Sequence, residues 1–171
     1  MLHFGLGPIG AAPAVITLPE PLPVVGLSTR LSTKTVYKEI PALLKRYAAY
    51  KKQNIIPDLR HPWAFIALSE HFDPKTLSWD YTVGDAVTGH AHTPPGLTAF
   101  QAPAGTYVVF RVRPRFLFLQ GWAIAKTKKY AIEEWFPRSP YAPTGIDFEY
   151  NDPEIPGPLG LDIYFAASKK D

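Results

Sequence analysis

Gly-Leu-Thr-Ala-Phe-Gln-Ala-Pro-Ala-Gly-Thr-Tyr, residues 96–107, is the stretch on which the fold turns. Leu97 to Gln101 and Tyr107 to Val112 are both strand-like, and Pro103 with Gly105 marks a bend or bulge between them. A helical segment follows, roughly Phe118 to Phe136, built on Trp122, Ala125, Ile132, Trp135 and Phe136 and stopped by Pro137 and Pro140. Two more strands, Ile146 to Tyr150 and Leu161 to Ala167, surround a turn over residues 151–160. The second half therefore reads strand, helix, strand, strand.

The first half repeats that order. Val24 to Leu31 is a strand behind the proline-rich stretch 19–23. Ser32 or Thr33 stands where a helix cap is needed. Val36, Ile40, Leu43, Leu44 and Tyr47 then recur at helical spacing. Pro41 falls inside this run, so the helix either starts late, with Pro41 in its first turn, or kinks there. Gln53, Asn54 and Pro57 end it. Trp63 to Glu70 reads as a strand and Phe72 to Ser78 as a hairpin loop. Trp79, Tyr81 and Val83 alternate with polar residues in the return strand. A further strand is expected at Ala14 to Leu18, and a loop at His90 to Pro95. Identity between the halves is slight; the repeat lies in the order of elements. The expected fold is α+β: tandem strand–helix–strand–strand modules in an antiparallel sheet, two long helices on one face, and a pseudo-two-fold cleft at the junction. Clefts between modules are common ligand sites.

Composition narrows the function. The chain has 171 residues, 46% hydrophobic and 19% charged, which suits a globular domain with a real core and excludes disorder. It has no cysteine, so disulfide and thiolate chemistry are excluded. The net charge of +3 does not by itself imply nucleic acid. Basic residues crowd the two helical segments, as in Lys34, Lys38, Lys45, Lys51, Lys126, Lys128 and Lys129, and read as solvated helix faces. Acids gather late, at Asp147, Glu149, Asp152, Glu154 and Asp162. Neither a recognition helix nor a basic aromatic sheet of known spacing is present, so no direct nucleic-acid contact is expected.

Residues 1–13 read as a flexible leader and 14–171 as one domain. The leader has no basic start, and glycines and prolines interrupt any apolar helix, so neither a signal peptide nor a membrane span is expected and the protein reads as cytoplasmic. Gly5, Gly7 and Gly10 match the spacing of a dinucleotide-binding turn. Only four residues precede them and four prolines follow, so no such cofactor site is expected. His90 and His92 alternate, but two histidines without further ligands do not make a zinc site. No metal or cofactor is expected.

Glu149 is an acid between aromatics on a strand, in Asp-Phe-Glu-Tyr (147–150). It reads either as counter-ion to a cationic ligand or as a surface acid paired with a lysine. Trp63, Trp79, Tyr81, Tyr107, Trp135 and Tyr164 are candidates to line a pocket around it, through cation–π attraction of about 0.5 to 2 kcal/mol each. Each is also a candidate for plain core.

From Val24 to Lys169 the chain resembles the GyrI-like domains, the effector-binding domains of AraC-type and multidrug-responsive transcription regulators. The resemblance is carried by Val-Val-Gly-Leu-Ser (24–28), Asp80-Tyr81, and Pro-Ala-Gly-Thr-Tyr (103–107). Trp-Phe-Pro (135–137) with Ser139 and Tyr141, Phe148-Glu149, and Asp-Ile-Tyr (162–164) complete it. It implies the tandem fold, a central pocket for small lipophilic, often cationic and aromatic, molecules, and Glu149 as the pocket's acid. Asn151 stands where many members have an aromatic. The chain has no residues left for a helix-turn-helix domain, which implies a stand-alone binder. Other stand-alone members hydrolyse cyclopropane-bearing toxins, which would make Glu149 and Tyr107 the reactive pair. Others bind proteins such as DNA gyrase, which would imply a protein partner.

Overall fold

The computed structural model describes residues 12–60, 65–89, 93–114, 119–150 and 161–170. The Gly5–Gly10 motif, Trp63, His90, His92 and Asn151 lie outside them. The strands are β1 (Ala14–Leu18), β2 (Leu22–Ser32), β3 (Ile66–Asp73), β4 (Ser78–Ala86), β5 (Thr98–Ala102), β6 (Gly105–Val112), β7 (Tyr141–Tyr150) and β8 (Leu161–Lys169). The helices are α1 (Val36–Gln53) and α2 (Gln120–Tyr130). From α2 the chain continues as a π turn over Ala131–Trp135 and a final short turn, α3 (Phe136–Arg138).

All strands join one antiparallel sheet in the order β1-β6-β8-β7-β3-β4-β2-β5. The two repeated units, β2-α1-β3-β4 and β6-α2-β7-β8, appear as mirrored triplets meeting at β7 and β3. The edge strands are exchanged. β1 leads into β2 but pairs with β6, and β5 leads into β6 but pairs with β2. This exchange forbids a flat sheet. β1 and β2 are six strand spacings apart, about 29 Å if flat. The chain from Leu18 to Leu22 reaches at most about 14 Å. The sheet therefore curls, and a single apolar cluster from all eight strands fills the inside. It includes Val24, Leu68, Tyr107, Val109, Phe148 and Ala166.

Both helices cover the outside. Ala67, Glu149 and Ile163 are direct cross-strand partners and so share one face. Ala67 belongs to the cluster under α1 and Ile163 to the cluster under α2. Leu68, Phe148 and Tyr164, the next residues along, face inward.

Several local expectations are corrected. The α1 N-cap is Thr35 rather than Ser32 or Thr33, and its hydroxyl turns back to the Ser32 N–H, 3.3 Å away, instead of capping. The helix does not start late at Pro41; it begins at Val36, with Pro41 in its second turn. β3 runs on to Asp73 through an irregularity after Glu70. The hairpin is closed by the Asp73 carboxylate, which accepts from Lys75 N–H at 2.8 Å and Thr76 Oγ1 at 2.7 Å. The second helical run covers residues 120–138, so Pro137 does not stop it, but the π turn over Ala131–Trp135 interrupts its α geometry. With Trp135 and Phe136 consecutive, both rings reach Phe110, at 5.6 and 6.5 Å. Its C-terminal carbonyls at Phe136, Pro137 and Ser139 accept from Lys170 Nζ at 2.6, 3.2 and 2.9 Å. No helix among the described residues is long and apolar enough to cross a membrane.

Among the described glycines, Gly26 and Gly84, cross-strand partners on the inner face, have the closest backbone neighbours. A methyl on Gly26 would lie 2.1 Å from the Val83 carbonyl oxygen, and one on Gly84 2.3 Å from that of Val25. Both obstacles are backbone, so the strands themselves would have to part. Gly26→Ala should destabilise the protein by at least the ~1–3 kcal/mol of ordinary overpacking. Gly121→Ala, in open space near the start of α2, should be neutral or stabilising. Urea denaturation of the two variants tests the contrast. Equal effects would mean that the close approach at Gly26 does not constrain the sheet.

Candidate functional site

Where the two units meet, β3 and β7 run side by side between the territories of α1 and α2. Two rows of outward side chains cross this seam. One is Tyr81, Ser69, Asp147 and Phe165; the other is Val83, Ala67, Glu149 and Ile163. The apolar members at the ends lie under the helices. The centre is polar and small: Ser69 and Ala67 beside two carboxylates. Asp147 and Glu149 share a face because two residues along a strand restore its direction.

Lys128 comes down from α2 between these acids. Its Nζ is 2.5 Å from Asp147 Oδ1 and 3.0 Å from Glu149 Oε1. The side chains are mostly covered, at 24% exposed for Lys128, 21% for Asp147 and 14% for Glu149, so this is no solvated surface pair. Burial alone would depress the lysine pKa. The charges of Asp147 and then Glu149 outweigh it and hold the ammonium above its ordinary value of 10.5. Tyr81, buried on the same face, has its phenol pKa raised, first by burial and then by the Glu149 charge. The trio carries a net charge of −1.

The seam walls follow from helical spacing. Lys51 of α1 reaches Asp85 of β4 at 2.7 Å, whereas Tyr50 reaches the Pro95 carbonyl, beside β5, at 2.8 Å. The Lys51 flank is therefore the seam side, and Leu44, two turns earlier, is exposed on it. On α2, Gly121 and Ala125 share the Lys128 flank, and Ile132 follows it one turn on and is exposed. Asp85 is fully buried and also accepts from the Tyr47 hydroxyl at 2.6 Å, which locks α1 onto β4.

The residues expected from the sequence are distributed over three places. Glu149 and Tyr81 meet at the seam, and half-buried Trp79 lies two residues along β4 on the same face. Tyr107 and Tyr164 are on the inner face with Phe148; Tyr164 stacks on Phe148 at 4.7 Å and Tyr107 meets it edge-on at 5.5 Å. Tyr107 is fully buried, its pKa is pushed up to about 12 by burial, and its hydroxyl donates to the Pro103 carbonyl at 2.7 Å. It ties the β5–β6 bend and stands across the sheet from Glu149, so the two do not form an acid–base pair. Trp135 packs on Phe110 of β6, away from the seam. With Tyr130, Glu134, Arg138, Ser139 and Pro140 it lines a separate surface groove of about 310 Å³.

The GyrI-like small molecule binding domain model matches residues 12–167. The chain belongs to that family. Solved structures agree in fold. SAV2435 bound to tetraphenylphosphonium superposes with a TM-score of 0.68 at 11% identity, over 92% of this chain and 94% of that one. An integron cassette protein from the mobile metagenome of Vibrio cholerae gives 0.63 at 15%, over 92% and 96%. The C-terminal domain of EcmrR gives 0.55 at 18%, over 92% and 98%. No curated protein matches the sequence. The GyrI-like domain is thus a small-molecule binding domain whose outer seam holds the acid that the sequence singled out, together with two charged residues it did not.

Because the folded lysine pKa is raised, the stability Lys128 contributes is fully present below the unfolded value of 10.5 and is lost only as pH rises beyond it towards the folded one. The melting-temperature gap between wild type and Lys128→Met should therefore be flat from pH 8 to 10 and shrink above. A gap that closes below pH 10 would contradict this linkage.

Proposed function

We propose that this domain binds lipophilic aromatic cations at the seam, with Glu149 as the acidic anchor. The observation that carries the reading is the net negative charge of a mostly covered trio on a floor of small side chains, between two helices. A unit charge pair at 4 Å is worth ~1 kcal/mol in water but ~4 kcal/mol at the effective dielectric of a protein site. A charged ligand is therefore strongly favoured over a neutral one of the same shape. Half-buried Trp79 supplies aromatic surface with buried Tyr81 beside it, and Leu44 and Ile132 supply apolar edges. The tetraphenylphosphonium held by the structurally similar SAV2435 supports this ligand class. Because shape and charge rather than a hydrogen-bond pattern do the selecting, several such cations should be accepted.

Tetraphenylphosphonium should quench the tryptophan fluorescence saturably. Glu149→Gln keeps the shape and removes the charge, and should weaken binding by roughly 2 to 3 kcal/mol, the attraction of unit charges about 6 to 8 Å apart at an effective dielectric of about 20, or roughly thirtyfold to a hundredfold. A neutral molecule of the same shape should lose much less. Equal loss for both would mean that Glu149 acts through structure, and no loss for either would place it outside the site.

A further inference from the structure

We infer that Lys128 is a tethered cation occupying the ligand's place between Asp147 and Glu149, so that a bound cation must displace it. The inference rests on the cation-binding reading and adds to it the residue that sets which molecules the seam admits.

Three observations carry it. The first is position. Nζ lies within contact of both carboxylates, and these are the only acids on the outer face of β7 at the seam among the described residues. A ligand cation seeking Glu149 therefore meets a site already filled from within.

The second is charge. With Lys128 seated the trio is −1, and with it withdrawn the two carboxylates are −2. A monovalent cation replaces one positive charge with another and leaves the balance unchanged. A neutral ligand that drove the lysine out would leave two like charges side by side in a poorly hydrated place, which is strongly unfavourable. The exchange therefore favours a cation over a neutral molecule of the same shape, which binds only so far as it leaves Lys128 seated.

The third is freedom to leave. The lysine is the most exposed member of the trio, on a flexible four-carbon stem with a strongly hydrated head. Its flank of α2 offers small, exposed neighbours in Gly121 and Ala125. Lys51 makes the contrast. Its partner Asp85 is fully buried beneath α1 and is also bound by Tyr47, so no ligand can take that place without lifting the helix.

The test titrates tetraphenylphosphonium by calorimetry into wild type, Lys128→Met and Lys128→Arg, with circular dichroism to verify the fold of each. Lys128→Met should bind about tenfold tighter or more, because the ligand no longer competes with an internal cation. Lys128→Arg should bind no tighter than wild type. A folded Lys128→Met that gains nothing overturns this inference and leaves the cation-binding reading standing. Absence of binding in both wild type and Lys128→Met overturns the reading, and the inference with it. If Lys128→Met does not fold, reductive methylation of wild-type lysines read by mass spectrometry decides. Lys128 should be protected in the free protein and become reactive at saturating tetraphenylphosphonium. Protection unchanged at saturation overturns the inference.

Discussion

Two short connections govern this structure. Residues 19–21 and 103–104 each tie strands that lie six places apart in the sheet, and neither is long enough to span a flat one. The sheet must curl, and Gly26 and Gly84 remove the side chains that would obstruct it. Curling makes the inner face self-sufficient, because residues from all eight strands bury one another there without a helix. It leaves the outer face to be covered by two separate helices, each over its own half. What remains between them is a strip over β3 and β7.

That strip holds two carboxylates, Asp147 and Glu149, largely withdrawn from water. Carboxylates taken out of water need partners. The protein meets this need twice with the same device, a helix lysine reaching to a sheet acid. Under α1 the acid is sealed and the pair acts as a fastener. At the seam two acids share one lysine, leaving one negative charge in excess at a place that solvent still touches. The seam cluster differs from the structural ion pair under α1 by one carboxylate and a modest amount of exposure.

Much of this was legible in the sequence. All eight strands, the repeated order and the placement of both helices follow from alternation, helical spacing and proline punctuation. The π turn was not legible, because Ala131 to Trp135 continues the helical pattern without a breaker. Nor was the exchange of β1 and β5, because sequence shows which strands exist but not which distant strand each one pairs with. Within the site, Glu149 stands out in the sequence through its aromatic neighbours on both sides; Asp147 lacks that signal, although period-two alternation places it on the same face. Lys128 looked like one of many solvated lysines; only the approach of α2 to β7 distinguishes it from Lys126 and Lys129. The aromatic candidates scattered because residue type alone does not encode the face. Tyr107 and Tyr164 belong to the inner core, and Trp135 to a groove on the other flank of α2. Of the two readings of Glu149, the lysine pairing is present, with Lys128, but in a mostly covered place rather than on the open surface.

The most direct test of the central claim is a crystal structure of the protein with tetraphenylphosphonium bound. The phosphonium should lie over β3 and β7, with Glu149 the nearest carboxylate, a phenyl ring towards Trp79 and Tyr81, and the Lys128 ammonium withdrawn from Glu149. A ligand bound instead in the groove beside Trp135, or inside the curl beside Tyr107 and Tyr164, would contradict it.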